Sequence, residues 1–313
     1  MKTSSGFITL FMGIVTFLTS CSTLHRQPLS GLSDNYCEPA IQYRYDSSYL
    51  PKPTNQALRQ VDTSLTLKYS QHDLLLANAV GILPLLGELN KLQNNGSPEA
   101  HVESIKKRQH ILNRLLLAST QIDGFAAELD CEGERADQIA TYLDQLDAQR
   151  TRRLTILSVV IGAATTVATA LIQSSSTNKV VGIGGGVIGT GFGGLAAFSS
   201  NRSVLFSHPR NLLTDIWKQP EQSSVYPPMI WYILNERRFS NKGHHSISYN
   251  IRQRWHDYVI NGASSAQLTL YFGDSGLYEA GDLHNRANML NELQSSVRSI
   301  NQDLQSLVLA VSQ

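Results

Sequence analysis

The sequence predicts a mainly α protein: an elongated helical bundle or coiled coil with a central apolar helical hairpin and a small mixed C-terminal region. Three observations carry this expectation. Two segments far apart in the chain repeat apolar residues at alternating steps of four and three, the signature of a packed helical seam. Two adjacent stretches of nineteen residues contain no charge. The one alternating, strand-like run is short, so no large sheet is available to organise the chain.

The elements follow in order. Met1 and Lys2 open the chain, a polar step follows, and Phe7–Leu18 is an apolar run too short for a comfortable membrane span. It ends Leu18-Thr19-Ser20-Cys21. This resembles the lipobox of bacterial lipoproteins, a Leu and two small residues before a cysteine. The resemblance covers the leader alone and implies removal of residues 1–20 and lipid on Cys21. Each buried methylene adds about 0.8 kcal/mol, so two or three acyl chains would anchor the protein stably. Ser22 rather than Asp follows the cysteine, which in enteric-type bacteria implies sorting to the outer membrane. Residues 21–54, with Pro28, Pro39, Pro51 and Pro53, read as a tether.

Residues 55–153 form the expected long-helix region. A helical pattern starts at about Asn55, and Pro84 should kink or break it before Asn94-Asn95-Gly96. Ser97-Pro98-Glu99 is a strong helix start: a capping hydroxyl, a proline at the first helical position and an acid in the first turn. Ile111, Leu115, Ala118, Ile122, Phe125, Leu129, Glu132, Ala136, Ile139, Leu143 and Leu146 then form one seam, broken only by Glu132 beside Cys131 and Gly133. That predicts a helix of some fifty residues, on the order of 75 Å at helical rise. Residues 282–313 carry the second seam: Leu290, Leu293, Val297, Ile300, Leu304, Leu307 and Val311. The two seams would pack on each other or on other copies; ordinary amphipathic helices of a globular core are the alternative.

Residues 154–200 hold the charge-free stretches Leu154–Ile172 and Val180–Phe198, joined by a polar loop. Each would span about 28 Å as a helix, close to the hydrocarbon thickness of a bilayer. Arg150, Arg152 and Arg153 flank the start, and Asn201 and Arg202 the end. Eight of nineteen residues in the second stretch are glycine, a poor helix in water. Gly185, Gly189 and Gly193 recur every four residues, as do Gly182 and Gly186, which predicts a face of small residues where another backbone comes close. The first stretch offers Gly162, Ala163, Ala164, Ala168 and Ala170 for such contact, and Thr165, Thr166 and Thr169 for hydrogen bonds. The hairpin either enters a membrane or is a buried core.

Residues 201–281 are mixed. Short helices are expected at Asn211–Lys218, Pro228–Arg238 and Ser248–Val259, and Gln267–Phe272 alternates like a strand before a turn at Gly273–Gly276. Trp217, Trp231 and Trp255 serve either as membrane-interface anchors or as packing in the bundle.

Chemistry is sparse. Two cysteines beyond Cys21, Cys37 and Cys131, suit a disulfide in an oxidising compartment, with two unpaired buried thiols as the alternative. Gly184-Gly185-Gly186-Val187-Ile188-Gly189 matches the dinucleotide fingerprint, but no βαβ alternation surrounds it and the acid expected about 20 residues on is missing. Gly273-Asp274-Ser275-Gly276 echoes a serine-peptidase motif without its following glycine. His244, His245, His256 and His284 lack metal-ligand spacing. No catalytic set, metal or cofactor is therefore expected. With 26 basic and 25 acidic residues, a formal net charge of +1, nucleic acid is not an expected partner.

The expected function is an outer-membrane-anchored lipoprotein, a structural component of an envelope assembly, with partners in membrane lipid (through Cys21 and the hairpin) and in other copies or envelope proteins. In layout, though not in sequence, Cys21 plus a glycine-rich hairpin resembles the surface-exclusion lipoprotein of conjugative plasmids. Long helices flanking an apolar hairpin also resemble the α-helical pore-forming toxins, which implies a tethered pore-former as an alternative. A soluble periplasmic scaffold with the hairpin as its core is a third reading.

Overall fold

The computed structural model describes residues 36–39, 47–171, 175–197, 201–241 and 243–312. The leader, Cys21 and the tether up to residue 35 lie outside the described residues. Among the described residues there are eleven α-helices, two 3-10 turns and one two-stranded ribbon, so the mainly α expectation is borne out.

Four short helices open the body: α1 (Thr54–Arg59), α2 (Thr63–Lys68), α3 (Gln71–Val80) and α4 (Leu83–Gln93). One kinked helix was expected over this stretch, and capping residues explain the difference. The Asp62 carboxylate accepts from the Ser64 amide at the start of α2. Ser70 and Asp73 form a reciprocal capping box at the start of α3. Gly81 ends α3 at φ +78°, and Pro84 then sits in the first turn of α4, starting a helix rather than breaking one. A Cβ on Gly81 would also stand 2.6 Å from the Tyr49 Cα, so glycine is required twice over.

That contact shows the end of the expected tether to be part of the body. The Lys52 amide donates to Asn78 Oδ1 at 3.2 Å, and Asn78 Nδ2 returns a bond to the Lys52 carbonyl at 2.9 Å. The Tyr49 ring lies 3.6 Å beneath the Arg114 guanidinium.

The central element is α5 (Pro98–Leu171), 74 residues without a break. It is longer than the fifty expected because the body helix and the first apolar arm are one helix. The arm α6 (Ser175–Ala197) returns beside it. The C-terminal helix α11 (Ala280–Ser312) runs antiparallel to α5: Arg108 reaches the Ser312 carbonyl, Ser119 meets Asn301, and Asp137 meets His284. The two seams pack on each other, and of the seam positions in both helices only Leu146 is not fully buried. Each such aliphatic side chain contributes about 1.5–3 kcal/mol of burial. The break at Glu132 is filled by the buried Arg135, 2.7 Å away. Beside it Gly133 lets α11 come close, since a Cβ there would stand 2.9 Å from Asn291 Oδ1.

Between the arms and α11 lie β1 (Ser203–Ser207), α7 (Thr214–Lys218), α8 (Pro228–Asn235), α9 (Ile247–Tyr258), α10 (Ser265–Phe272) and β2 (Ser275–Glu279). β1 and β2 pair antiparallel, with Leu205 opposite Leu277. The expected strand at Gln267–Phe272 is helix α10, and the true strand β2 follows Gly273-Asp274. A capping box of Ser264 and Gln267 outweighs the apolar alternation, and only Tyr271 and Phe272 are buried, not every second residue. Trp231 and Trp255 are core residues, and Trp217 stacks on Phe272 with ring centroids 4.7 Å apart. The tryptophans thus serve bundle packing.

Candidate functional site

The candidate site is the hairpin and the joint from which it leaves the body. In α5 the last acid is Asp147, and from Leu154 onward the helix carries no charge. By length and composition α5 is the one described helix able to cross a membrane, and none of its apolar window is buried. The apolar part of α6, Val181–Leu195, is shorter. Val159, Val167, Ile183, Val187 and Leu195 are each 60% or more exposed. The hairpin is therefore not a buried core of this chain, which departs from the scaffold alternative.

The glycines sort into two sets. A Cβ on Gly185 would stand 1.9 Å from Thr165 Oγ1 and 2.7 Å from Thr165 Cβ. Added Cβ atoms would meet Thr169 Cγ2 at 3.5 Å from Gly182, the Ser158 carbonyl at 3.7 Å from Gly189, and Ser158 Oγ at 3.4 Å from Gly193. These four face the α5 arm of the same chain. Gly186, expected on that face, has nothing within 4 Å of its would-be Cβ, and neither do Gly184, Gly191 or Gly194. At 100° per residue Gly186 sits at the edge of the inner face, just clear of the partner helix.

The described hydroxyls are internally satisfied. Ser158 Oγ donates across the hairpin to the Gly189 carbonyl at 2.8 Å. Thr155, Thr165 and Thr166 bond the carbonyl four residues back, Thr169 the one three back, and Thr190 the Gly186 carbonyl. Three threonines were expected to bond across the arms. They turn back on their own helix instead, and Ser158 makes the bridge. Among the described side chains of Leu154–Leu171 and Val181–Leu195, no hydroxyl lacks an acceptor, which hydrocarbon requires.

At the base, His284 of α11 bonds Asp137 through Nδ1 and Asp144 through Nε2, both at 2.9 Å. The Asp144 hydrogen bond is the main cause holding the imidazole above its ordinary pKa. Asp147 accepts from the Arg202 amide at 3.1 Å, with Arg202 Nε at 3.5 Å. The sequence reading missed this joint, although Asp137 and Asp144, seven residues apart on one face of α5, were its legible signal.

Cys37 and Cys131 are bonded, 2.06 Å between sulfurs, which ties Tyr36–Pro39 to α5. Next to Cys131 is a buried polar network. Arg135 and Arg286, both wholly buried, flank the Phe206 ring at 4.1 and 5.9 Å. Arg135 also donates to the Ser207 carbonyl, and Arg286 to the Tyr271 carbonyl and Asn211 Oδ1. The Tyr278 hydroxyl donates to the Leu270 carbonyl, so His208 Nε2–H donates to the Tyr278 oxygen at 2.9 Å. Burial, reinforced by the Arg286 charge, pushes the His208 pKa down to about 2. This network locks α5, the ribbon and α11 together.

Two surface cavities lie elsewhere, one of about 470 Å³ along α2–α4 and one of about 510 Å³ between Leu50–Pro53 and α8. Neither gathers a nucleophile with a histidine base. No group of three or more His, Cys, Asp or Glu side chains able to hold a metal occurs among the described residues. No family model, no curated protein and no solved structure matches this chain.

Proposed function

We propose that the chain is a structural lipoprotein of the bacterial outer membrane, held by lipid on Cys21, with a helical hairpin that enters the bilayer as part of an envelope assembly. The observation that carries this reading is the charge-free hairpin: its apolar side chains lie outside the core while every described hydroxyl is satisfied internally. Exposed apolar surface of this extent needs a partner, and lipid suits a surface without charges or orphan donors. The lipobox-like Leu18–Cys21 supports the anchor. Because Gly182, Gly185, Gly189 and Gly193 are used within the hairpin, self-association would use the outer face of α6, where Gly184 and Gly191 are open.

The test uses single cysteines in membrane fragments from cells making the full chain. A cysteine at Val159 should resist a water-soluble maleimide until detergent is added, whereas one at Leu205 on the exposed ribbon face should react at once. Equal, rapid labelling of both in intact membranes would place the hairpin in water and end the reading. Fatty-acid labelling of wild type against Cys21→Ala tests the anchor separately; equal labelling would remove it.

A further inference from the structure

We propose that Arg152 and Arg153 form a collar that binds the phosphates of anionic lipids where α5 enters the bilayer. This rests on the membrane reading above and names the lipid class that the hairpin selects.

Charge is disposed unevenly along α5. In the turns before the hairpin each acid is engaged by the body: Asp137 and Asp144 by His284, Asp147 by Arg202. On the returning side Glu279 accepts from Asn201 at 3.0 Å. Each carboxylate at this level is thus hydrogen-bonded to a partner outside α5 or across the ribbon's end. Positive charge is treated in the opposite way. Residues 148–153 are all exposed, and the side chains of Arg152 and Arg153 make no ion pair or hydrogen bond among the described residues.

Position gives this charge its meaning. Leu154, the next residue, begins the uncharged arm, so the two guanidinium groups stand where hydrocarbon gives way to headgroups. Successive residues point about 100° apart, so the pair spreads around the helix instead of forming one face. An arginine at that depth buries its stem along the acyl chains and presents a planar fork to phosphate oxygens. Zwitterionic lipids also carry phosphate but offset it with a cation, so the selection is for headgroups with net negative charge. A basic residue near such a surface is worth roughly a five-fold preference.

The experiment reconstitutes the mature, lipidated protein in phosphatidylcholine bilayers with trace spin-labelled phosphatidylglycerol or spin-labelled phosphatidylcholine. Electron paramagnetic resonance measures the motionally restricted fraction of each at the protein surface. Wild type should restrict the anionic lipid roughly five-fold more strongly. The preference should fall to near unity in Arg152→Gln/Arg153→Gln and survive in Arg298→Gln, whose exposed guanidinium lies on α11 away from the hairpin. Equal restriction of both lipids by wild type, or a preference unchanged in the double variant, would overturn the collar and leave the hairpin reading standing. No restricted lipid of either kind would overturn the hairpin reading and the collar with it.

Discussion

Replacing Gly185 and Gly184 by alanine in turn asks whether the hairpin is closed by backbone contact. The two residues are adjacent in one helix, so the helix-propensity gain of up to about 1 kcal/mol applies to both and cancels in the comparison. What differs is the space. A Cβ at Gly184 meets nothing within 4 Å, while at Gly185 it would stand 2.7 Å from Thr165 Cβ, an atom that no rotamer change can move away. Rotating the threonine would also break its bond to the Ile161 carbonyl. Ordinary carbon contact needs about 3.5–4.0 Å, so the arms must part by roughly an ångström. Overpacking of this kind costs about 1–3 kcal/mol, which is the expected difference between the variants. Spin labels at the outward-facing Val159 and Ile188 would report it by electron–electron distance measurement in bilayers. Gly184→Ala should keep the wild-type distance, and Gly185→Ala should lengthen or broaden it at unchanged helix content. Identical distributions in the two variants would refute backbone contact at Gly185.

Two further outcomes are expected. Breaking the Cys37–Cys131 bridge by Cys131→Ser opens a loop with a sequence separation of 94, worth up to about 4.7 kcal/mol in the chain-entropy account, and should lower the urea midpoint; an unchanged midpoint, or free thiols in the unreduced denatured protein, would count against the bridge. His208 has its pKa lowered from 6.5 to about 2, so its stabilising effect is complete above pH 6.5 and is lost as pH falls towards 2, by at most about 1.4 kcal/mol per unit. His72 and His284 have raised pKa values, so their contributions are intact below 6.5 and are lost only as pH rises above it. Acid loss between pH 6.5 and 5 should therefore flatten in His208→Gln, whose amide can still donate to Tyr278; the same slope of melting temperature with pH in both proteins would defeat the assignment.

What could be read from the sequence depended on contrast between faces. The seams of α5 and α11 stand out because their apolar stripes are flanked by charges, and that contrast fixed which sides meet. The bridge was legible because an even pair of cysteines leaves few options. Local capping was harder to see. Asp62 and Ser70 interrupt an otherwise helical run through single hydrogen bonds, and Ser264 with Gln267 turns a strand-like alternation into helix α10. Apolar periodicity does not register an effect of that size in a stretch of eight residues, although such a cap is worth about 1 kcal/mol.

The hairpin fails the same test for a different reason. Its arms have no polar side, so the four-residue glycine spacing marks a face of α6 but not where that face ends. Gly185 and Gly186 are equivalent as letters, yet one lies against Thr165 and the other has no neighbour within 4 Å. Only the register of the arms separates them, and Ser158, which bonds the Gly189 carbonyl, is a cross-arm contact that helps to hold that register. A serine in an apolar helix is an ordinary letter until its acceptor is known. Below the hairpin contrast returns, but it is contrast between near neighbours in sequence: Asp144 and Asp147 turned to partners in the body, Arg152 and Arg153 turned to solvent. Fewer than ten residues separate these groups, less than three turns of helix. Within that span α5 passes from carboxylates that the body hydrogen-bonds to guanidinium groups that have no partner among the described residues, and the hairpin begins at the next residue.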